Sequence, residues 1–287
     1  MEVERLGLNG LDRRGTFAGR GLIDTHQHQG LARTQPMHDA ELFQQSHCRR
    51  PVQWHRLLDQ AVARMLPPTC VLCGAPGTCG LDLCAGCLED LPHNHHAWSR
   101  CAHPLPWDLQ ATGVCGTCQG QPPPQDASHI PFLYQDAIPS LVIGAKFHGR
   151  LNLARLLGLC LARSLRQVGI RRPDIILPVP LHPQRMRERG YNQALEIARA
   201  LSRELAIPVD PSLCARLRAT PPQVGLEREE RRHNVRGAFG VIGPVAARHL
   251  AILDDVVTTG GTAGELARVL RQAGAARIDL WAVARTP

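Results

Sequence analysis

Several common features are scarce or absent in this sequence of 287 residues. No apolar run reaches the ~18 residues that a membrane-spanning helix requires, so we expect no insertion into a membrane. The start, Met-Glu-Val-Glu-Arg, has no apolar core of signal-peptide length, which predicts a protein that stays in the cytoplasm. Aromatic residues make up only 4% of the chain, and this argues against a surface that binds single-stranded nucleic acid by stacking its bases.

Lysine is nearly missing, because Lys146 is the only one and all other residues in the Lys+Arg count of 33 are arginines. The net charge is +8, and residues 150–203 hold eleven arginines against three acidic residues. The planar guanidinium group forms forked contacts with phosphate and carboxylate groups. The excess therefore favours a polyanionic partner or a phosphorylated ligand, with an ordinary solvated basic surface as the alternative.

The composition is that of a globular protein, with 44% apolar and 20% charged residues, and the length suggests about two domains. Residues 1–50 are rich in Gly, Gln, Arg and His without a sustained hydrophobic period, which predicts a disordered leader or a wrongly assigned start. Over residues 51–66, apolar side chains recur every three or four positions, as in one amphipathic helix. That helix would end at Pro67 and Pro68.

The eleven cysteines are concentrated in one segment, with eight of them in residues 70–118. In a reducing compartment such a cluster indicates metal binding rather than disulfides. Two C-x-x-C pairs separated by ten residues can supply the four thiolates of a tetrahedral zinc site, and a complete thiolate shell predicts a structural ion. These four residues are Cys70, Cys73, Cys84 and Cys87.

A second zinc site is predicted from a third C-x-x-C pair, Cys115 and Cys118, together with Cys101. It has three thiolates and needs a fourth ligand. In an alternative pairing the first and last C-x-x-C pairs share one ion, and Cys79 fits neither arrangement. We expect the zinc-ribbon module to cover residues 67–120, and we expect no internal repeat anywhere in the chain. The nearby histidines that can supply the fourth ligand are His95, His96 and His103.

Residues 130–287 carry the pattern of an α/β domain. Helical apolar spacing covers residues 137–168, with a break near Gly149, and a buried-strand run follows at residues 174–179. Residues 250–253 and 278–283 form further strands, and the segment between them contains a helix over residues 265–273. Strands that alternate with helices of this length indicate a parallel sheet with helices on both faces. Another helix would place on its inner face Ala194, Ala198, Leu201 and Leu205.

The most specific motif lies at residues 251–263, where two acidic residues follow a strand and a Thr/Gly loop leads into a helix. Gly260 and Gly261 allow the backbone to approach a ligand closely, and the N–H groups that begin the helix form an anion site. Asp254 and Asp255 would lie beside it, at the carboxyl end of the strand. Because carboxylates repel phosphate, we expect them to hold sugar hydroxyls or hydrated Mg²⁺. The motif therefore predicts a sugar-phosphate site, and it is not a Walker A loop.

Residues 251–263 resemble the phosphoribosyl-pyrophosphate (PRPP) motif of type I phosphoribosyltransferases. Further segments resemble the late-competence ComF family, also described as ComF/GntX, in an order that runs from about Trp54 to the C-terminus. The resemblance implies a type I phosphoribosyltransferase-like α/β fold, a Rossmann-like parallel sheet with helices on both faces, preceded by a zinc ribbon. One departure is Trp98, which stands where the family usually has the first cysteine of a second C-x-x-C. The resembling segments are Pro67–Gly74, Ala145–Gly149, Pro178–Pro183, Arg189–Gln193 and Thr220–Phe239.

The resemblance also implies roles for individual residues. Asp254 and Asp255 would bind the ribose of PRPP, and Lys146 would contact phosphate or pyrophosphate unless it is an ordinary exposed helix residue. Three arginines would lie on the pyrophosphate side with Mg²⁺, and because alternate positions cannot share one helix face, we expect a loop there. The arginines are Arg185, Arg187 and Arg189. The 5′-phosphate would be held by Thr258, Thr259, Gly260, Gly261 and Thr262.

The implied function is Mg²⁺-dependent binding of PRPP by a protein that acts in DNA uptake during natural transformation. If the domain is catalytic, a nitrogen nucleophile displaces pyrophosphate at the ribose C1, water is excluded by residues 218–236, and positioning and electrostatics supply most of the rate. The sequence does not name the acceptor. The alternative is a PRPP-sensing module without turnover that binds single-stranded DNA or a competence or recombination protein.

Overall fold

A computed structural model describes residues 67–105, 115–147, 149–219 and 235–287 of the chain. The predicted leader and the predicted helix at 51–66 lie outside the described residues. The helices are α1 (Ala85–Glu89), α2 (Gly116–Gly120), α3 (Ile138–Phe147), α4 (Leu151–Gln167), α5 (Pro183–Arg189), α6 (Gln193–Leu205) and α7 (Gly261–Gln272). The strands are β1 (Ala127–His129), β2 (Phe132–Leu133), β3 (Ile175–Pro178), β4 (Cys214–Arg216), β5 (Phe239–Val241), β6 (His249–Val257) and β7 (Arg277–Arg285).

Five strands form a parallel sheet in the order β1-β7-β6-β3, and β2 pairs with β7 beyond the end of β1. The central strands β6 and β7 are nine residues long and almost wholly buried, as their continuous apolar runs predict for a sheet covered on both faces. The two-stranded antiparallel ribbon β4-β5 lies outside this sheet. The predicted parallel α/β sheet is confirmed.

Helices cover both faces of the sheet. On one face α7 packs over Leu250, Ile252 and Leu280 in a buried apolar cluster that contains no residue of α4 or α6. On the other face α6 packs against β3, β6 and α4. The predicted helix break is confirmed, because α3 ends at Phe147, Gly149 adopts a left-handed φ of 63° and α4 begins at Leu151.

The cysteine-rich module is docked on the β1/β2 edge of the sheet. The Ser128 amide of β1 donates to the Ser99 carbonyl at 2.7 Å, and the Leu133 amide of β2 donates to the Pro92 carbonyl at 2.7 Å. Asn94 adds a backbone bond to Pro131 and side-chain bonds to the carbonyls of Ala102 and Ile130. An open parallel edge would expose unpaired backbone groups, and the module satisfies part of this edge.

Candidate functional site

The first cysteine cluster brings together the four thiols that the sequence predicts. All four sulfur atoms lie within 4.8 Å of one another, and the Sγ atoms of Cys73 and Cys84 are 3.6 Å apart. A tetrahedron with Zn–S bonds of about 2.3 Å has edges of about 3.8 Å, so the donors fit zinc in both type and spacing. This grouping excludes the alternative in which the first and last C-x-x-C pairs share an ion. The cluster consists of Cys70, Cys73, Cys84 and Cys87.

The second cluster contains Cys101, Cys115 and Cys118, whose sulfur atoms also lie within 4.8 Å of one another. The Sγ atoms of Cys101 and Cys115 are 3.7 Å apart, which matches one edge of a zinc tetrahedron. Among the residues that the structure describes, no histidine joins these three thiols. The expectation that His95, His96 or His103 supplies a fourth ligand therefore finds no support in the geometry.

The expectation of no internal repeat is wrong, because the two clusters are built on the same backbone frame. A bridge joins Thr69 to Pro76 in the first knuckle and Ala97 to Pro104 in the second. Inside each bridge the hydrogen bonds correspond, since the Cys70 amide donates to the Ala75 carbonyl and the Trp98 amide donates to the His103 carbonyl. In each cluster, the C-x-x-C pair that comes last in the chain begins a short helix, which is α1 after Cys84 and α2 after Cys115. The two halves of the module share their backbone geometry but few residues, so the repeat is not visible in the sequence.

The carboxylate pair lies within strand β6, which continues through Asp254 and Asp255 to Val257. The expectation that the strand ends before them is wrong, because β7 continues alongside and pairs as far as Val257. On its other side, β3 ends opposite Leu253. The two carboxylates therefore lie just beyond the end of β3, at the carboxyl end of the sheet, which is the edge where open α/β sheets bind ligands.

The two carboxyl groups have different neighbours, because consecutive strand residues leave the sheet on opposite sides. The Lys146 ammonium lies 2.7 Å from a carboxylate oxygen of Asp255, whose side chain is only 6% exposed. Asp254 interacts with the charge of Lys146 and also with that of Arg216 on β4. Burial, and next the charge of Asp255, raise the pKa of Asp254 to about 7. One carboxylate is thus held by a cation, while burial and its charged neighbour move the pKa of the other toward neutrality.

Lys146 lies in the last turn of α3, and hydrogen bonds from the segment that follows α5 hold that turn in place. The Tyr191 hydroxyl donates to the carbonyl of Ala145, the residue beside Lys146. Asn192 accepts from the amide of Ala194 as the N-cap of α6 and donates to the Val179 carbonyl at 3.0 Å. The segment after α5 therefore ties α3, α6 and the end of β3 together around the carboxylates.

The arginines after β3 lie on a helix, so the expectation of a loop there is wrong. His182 caps α5, Pro183 occupies its first turn and Gly190 ends it with a left-handed φ of 80°. Positions i and i+4 share one face of this two-turn helix, and Arg185 and Arg189 are accordingly half-buried. Arg187 is exposed on the other side of α5.

Arg185 and Arg189 are drawn into the site beside the carboxylates. Burial lowers the pKa of Arg189, and the negative charge of Asp255 partly offsets this effect. The Arg189 guanidinium also lies 5.1 Å from the ring centre of Phe147 and donates to Gln193. Burial, and next the positive charge of Arg185, lower the pKa of Arg216. Cationic groups therefore approach the carboxylate pair from α3, α5 and β4.

The Thr/Gly loop connects β6 to α7 at this same end of the sheet. Gly260 adopts a left-handed φ of 75° as the residue before α7, and Gly261 begins the helix. The Gly261 amide donates to the Thr259 hydroxyl at 3.4 Å, and Thr258 and Thr262 flank the turn. No acidic residue lies in the first turn of α7, which leaves the positive end of the helix dipole uncompensated.

Comparison with known proteins assigns the chain to a family. Residues 61–119 match the double zinc ribbon domain. The chain is 34% identical over 226 residues to the DNA utilization protein YhgH of Escherichia coli O157:H7, covering 77% of this chain and 98% of that protein. It is also 34% identical over 213 residues to competence protein F of Haemophilus influenzae, covering 71% and 90% respectively. The chain belongs to the ComF family.

Solved structures similar to this ComF-family chain include two distant ones. Glutamine PRPP amidotransferase from Bacillus subtilis is 18% identical with a TM-score of 0.34, over 49% of this chain and 30% of that chain. A purine phosphoribosyltransferase from Pyrococcus horikoshii is 19% identical with a TM-score of 0.29, over 46% of this chain and 83% of that chain. The chain thus spans less than a third of the amidotransferase.

Most of the predicted site residues of this ComF-family protein come together at the carboxyl end of β6. They are Asp254, Asp255, Lys146, Arg185 and Arg189, with Thr258, Thr259, Gly260, Gly261 and Thr262 in the adjoining turn. Most of residues 218–236, the segment expected to exclude water, lies outside the described residues. No helix of the described part of the chain is long and apolar enough to cross a membrane.

Sequence reasoning missed three residues of the site, Arg216, Tyr191 and Asn192. Arg216 lies in a short strand without a motif, so only the fold brings it to Asp254. Tyr191 and Asn192 belong to the Arg189–Gln193 segment that carries the family resemblance, but only its arginine was given a role. A capping asparagine directly before an apolar helix was the available signal, and it predicts the start of α6.

Proposed function

We propose that this protein binds PRPP together with Mg²⁺ at the carboxyl end of β6 and serves in the uptake or use of DNA. The single observation that supports the ligand is the Asp254–Asp255 pair, in which Asp255 is buried and Asp254 is half-buried. The pair is set between the start of α7 and the basic side chains of Lys146, Arg185 and Arg189. The names of the relatives, a competence protein and DNA utilization proteins, support the biological role. The proposed setting is the cytoplasm, where reducing conditions preserve zinc thiolates.

Each part of the site would take the part of the ligand that suits its chemistry. The amides that begin α7 and the threonine hydroxyls of residues 258–262 would hold the 5′-phosphate. Asp254 and Asp255 would accept hydrogen bonds from the ribose hydroxyls or hold hydrated Mg²⁺. Arg185 and Arg189 would face the pyrophosphate. Mg²⁺, when bound, would neutralise part of the pyrophosphate charge.

Lys146 would act as a counter-ion that changes partner. In the structure it neutralises Asp255, whose carboxylate would otherwise be buried and uncompensated. A bound pyrophosphate offers Lys146 a stronger anion, and this transfer would release Asp255 for the ribose or the metal. The ligand would thus complete the charge balance that Lys146 maintains in its absence.

Turnover would require an acceptor with a nucleophilic nitrogen. A C–N bond would form at the ribose C1 as the C–O bond to pyrophosphate breaks, and the departing electron pair would remain on pyrophosphate. Arg185 and Arg189 would stabilise this developing charge, so the chain would contribute positioning and electrostatics rather than a covalent intermediate. A sensor that binds PRPP without an acceptor would use the same contacts.

Calorimetric titration of PRPP with Mg²⁺ tests the ligand assignment. We expect binding by the zinc-loaded protein and loss of binding in the Asp254→Asn/Asp255→Asn double variant. Asp210→Asn is the matched control, because Asp210 is engaged with Ser212, away from the carboxylate pair. Absence of binding by the folded wild-type protein would refute the PRPP site. If PRPP binds, a screen of nitrogenous acceptors for pyrophosphate release would distinguish an enzyme from a sensor.

The basic face of α4 and α6 favours nucleic acid as a second partner. Arg155 on α4 and Arg199 and Arg203 on α6 line one groove, and all three are exposed. Arg199 is paired with Glu196, so the acidic residues of this face neutralise only part of it. Since the chain has few aromatic residues, contact with single-stranded DNA would be made to the phosphates rather than by stacking.

A salt titration of single-stranded DNA binding tests this second partner. We expect affinity to fall steeply with salt, and an Arg155→Gln/Arg203→Gln variant to show both weaker binding and a shallower slope. The PRPP titration of the same variant should be unchanged, because the two surfaces are separate. Affinity that stays flat with salt would contradict electrostatic contact and would favour a protein partner from competence or recombination.

A further inference from the structure

We propose that the second zinc ribbon holds its ion through three thiolates and leaves the fourth position to a ligand from solution. This ligand would be water at rest, and small-molecule thiols would displace it. The proposal concerns the cluster of Cys101, Cys115 and Cys118 and does not depend on PRPP binding.

The repeated backbone frame identifies the missing ligand. The bridge Thr69–Pro76 corresponds to the bridge Ala97–Pro104, so Cys70 corresponds to Trp98 and Cys73 corresponds to Cys101. A second pair of bonds gives the same alignment, because the Gly74 amide donates to the Cys70 carbonyl and the Ala102 amide donates to the Trp98 carbonyl. Trp98 therefore occupies the position from which the first ribbon supplies a thiolate.

Tryptophan cannot replace that thiolate. The indole N–H is a hydrogen-bond donor and offers no lone pair to a metal. The backbone has nevertheless kept the turn, since Ala102 takes the left-handed conformation of Gly74 at φ 51° against 79°. The knuckle is thus preserved in shape while one of its two ligands is absent.

The three remaining thiols lie close enough together to bind one ion, with all three sulfur atoms within 4.8 Å of one another. Cys101 and Cys118 are buried, and the Sγ atoms of Cys101 and Cys115 are separated by the 3.7 Å expected along a tetrahedral edge. No other histidine, cysteine or carboxylate of the described residues completes this cluster. Three protein ligands with one open position are the arrangement of zinc sites that bind an external ligand. With a thiolate-rich shell, that ligand would be a soft one.

Two substitutions exchange the ligand sets of the ribbons. Trp98→Cys supplies the second ribbon with the thiolate it lacks, and Cys70→Trp gives the first ribbon the arrangement of the second. The measurements are zinc per chain under competition with a chromogenic chelator, and the absorption spectrum of the cobalt-substituted protein with and without 2-mercaptoethanol.

We expect two zinc ions per wild-type chain, one of them bound about a hundredfold more weakly because it lacks one of four protein ligands. The cobalt spectrum of the wild type should change on addition of the thiol, and Trp98→Cys should abolish both the weak class and the thiol response. Cys70→Trp should leave only weak, thiol-responsive metal. The wild-type spectrum decides the proposal even if that variant fails to fold.

Either of two results would overturn the proposal. Two equally tight ions in the wild type with a spectrum indifferent to thiol would mean that the chain completes the shell itself. If Asp108→Asn then created a thiol response, Asp108, which lies outside the described residues, would be that ligand. A single zinc per wild-type chain would mean that the three thiolates hold no metal.

Discussion

At the residue scale, the contact between Lys146 and Asp255 joins positions that are 109 apart in the chain. We expect that removing it lowers the free energy of unfolding. Lys146→Met would leave the Asp255 carboxylate buried without its cation. We expect a loss of about 1–3 kcal/mol in the free energy of unfolding, below the value for a fully buried pair because the lysine side chain is 25% exposed. Denaturant titration measures this change.

A double-mutant cycle provides the control for this contact. Asp255→Asn combined with Lys146→Met removes both charges, so the double variant should be more stable than the sum of the single losses predicts. Lys146→Arg keeps the charge and should cost less than Lys146→Met. Additive losses would show that the two groups do not interact in solution.

Asp254 gives the site a pH dependence whose sign follows from its raised pKa. The unfolded carboxyl loses its proton near pH 3.9, whereas the folded one keeps it to about pH 7. The folded state therefore binds the extra proton between these values, and its contribution to stability is lost as the pH rises through this window. Asp254→Asn removes the effect, so the variant should gain roughly 2–4 kcal/mol relative to wild type between pH 4 and pH 8.

Unfolding curves of wild type and variant at several pH values measure this gain. The two proteins are compared at each pH because both lose zinc at low pH, so that effect cancels in the difference. Asp210→Asn is the opposing control. Hydrogen bonds from the Ser212 side chain and amide lower the pKa of Asp210, so that variant should be less stable than wild type above about pH 4, and the deficit should shrink as the pH falls below that value. Parallel pH profiles for wild type and Asp254→Asn would contradict the raised pKa.

Sequence patterns predicted the site residues that lie together in one short motif. They missed the residues that only the fold brings to the site. Asp254, Asp255 and the glycines after them form one continuous motif. Arg216 on β4 is brought close enough to Asp254 for their charges to interact only by the fold, and no spacing in the sequence indicates this. The partner of Lys146 was likewise invisible before the fold placed α3 beside β6.

At the element scale, α5 shows where a pattern argument gave a wrong structure. Three alternate arginines cannot share a helix face, but the helix does not need them to, because Arg185 and Arg189 face the site and Arg187 faces solvent. The start and stop signals were the better guide. His182, Pro183 and Gly190 mark the N-cap, first turn and end of a short helix.

The α4–α6 contact depends on Gly158, where the helices approach closely. A Cβ atom at this position would lie 2.7 Å from the Ile197 carbonyl oxygen and 2.8 Å from the Cβ of Ala200. Gly158→Ala should therefore destabilise the protein by about 1–3 kcal/mol, despite the higher helix propensity of alanine. The loss would be measured by thermal or denaturant unfolding.

Gly264 is the matched control for this substitution, because it lies within α7 and an added Cβ would meet only Pro124 at 3.9 Å. Gly264→Ala should raise stability by about 0.5–1 kcal/mol through helix propensity alone. Equal effects at the two positions would show that the helices can separate without cost, contrary to the packing.

At the scale of the whole molecule, the zinc module covers the β1/β2 edge of the sheet. The module has a small apolar core in which Leu81, Leu83, Leu88 and Leu91 are buried, too few to hold some fifty residues without metal. Its backbone bonds to β1 and β2 place it where the parallel sheet would otherwise end in unpaired groups. Cysteine spacing and apolar patterning predicted the two parts, whereas their docking depends on contacts between residues without a motif, such as Asn94 and Ser128.

Removal of zinc should therefore loosen the sheet from this edge inward. Structural zinc contributes folding free energy directly, so chelation under reducing conditions should unfold the module and break its bonds to the sheet. Hydrogen exchange should accelerate at the amides of Asn94, Ser128 and Leu133, which donate across the junction. The amides of Ile252 and Leu253 in the sheet centre should remain protected, because β6 is paired on both sides by β3 and β7. Addition of excess zinc should restore the first group. If protection were lost equally in β6, the α/β domain would depend on the metal as a whole, and if it were lost nowhere, the junction would stand without the ion.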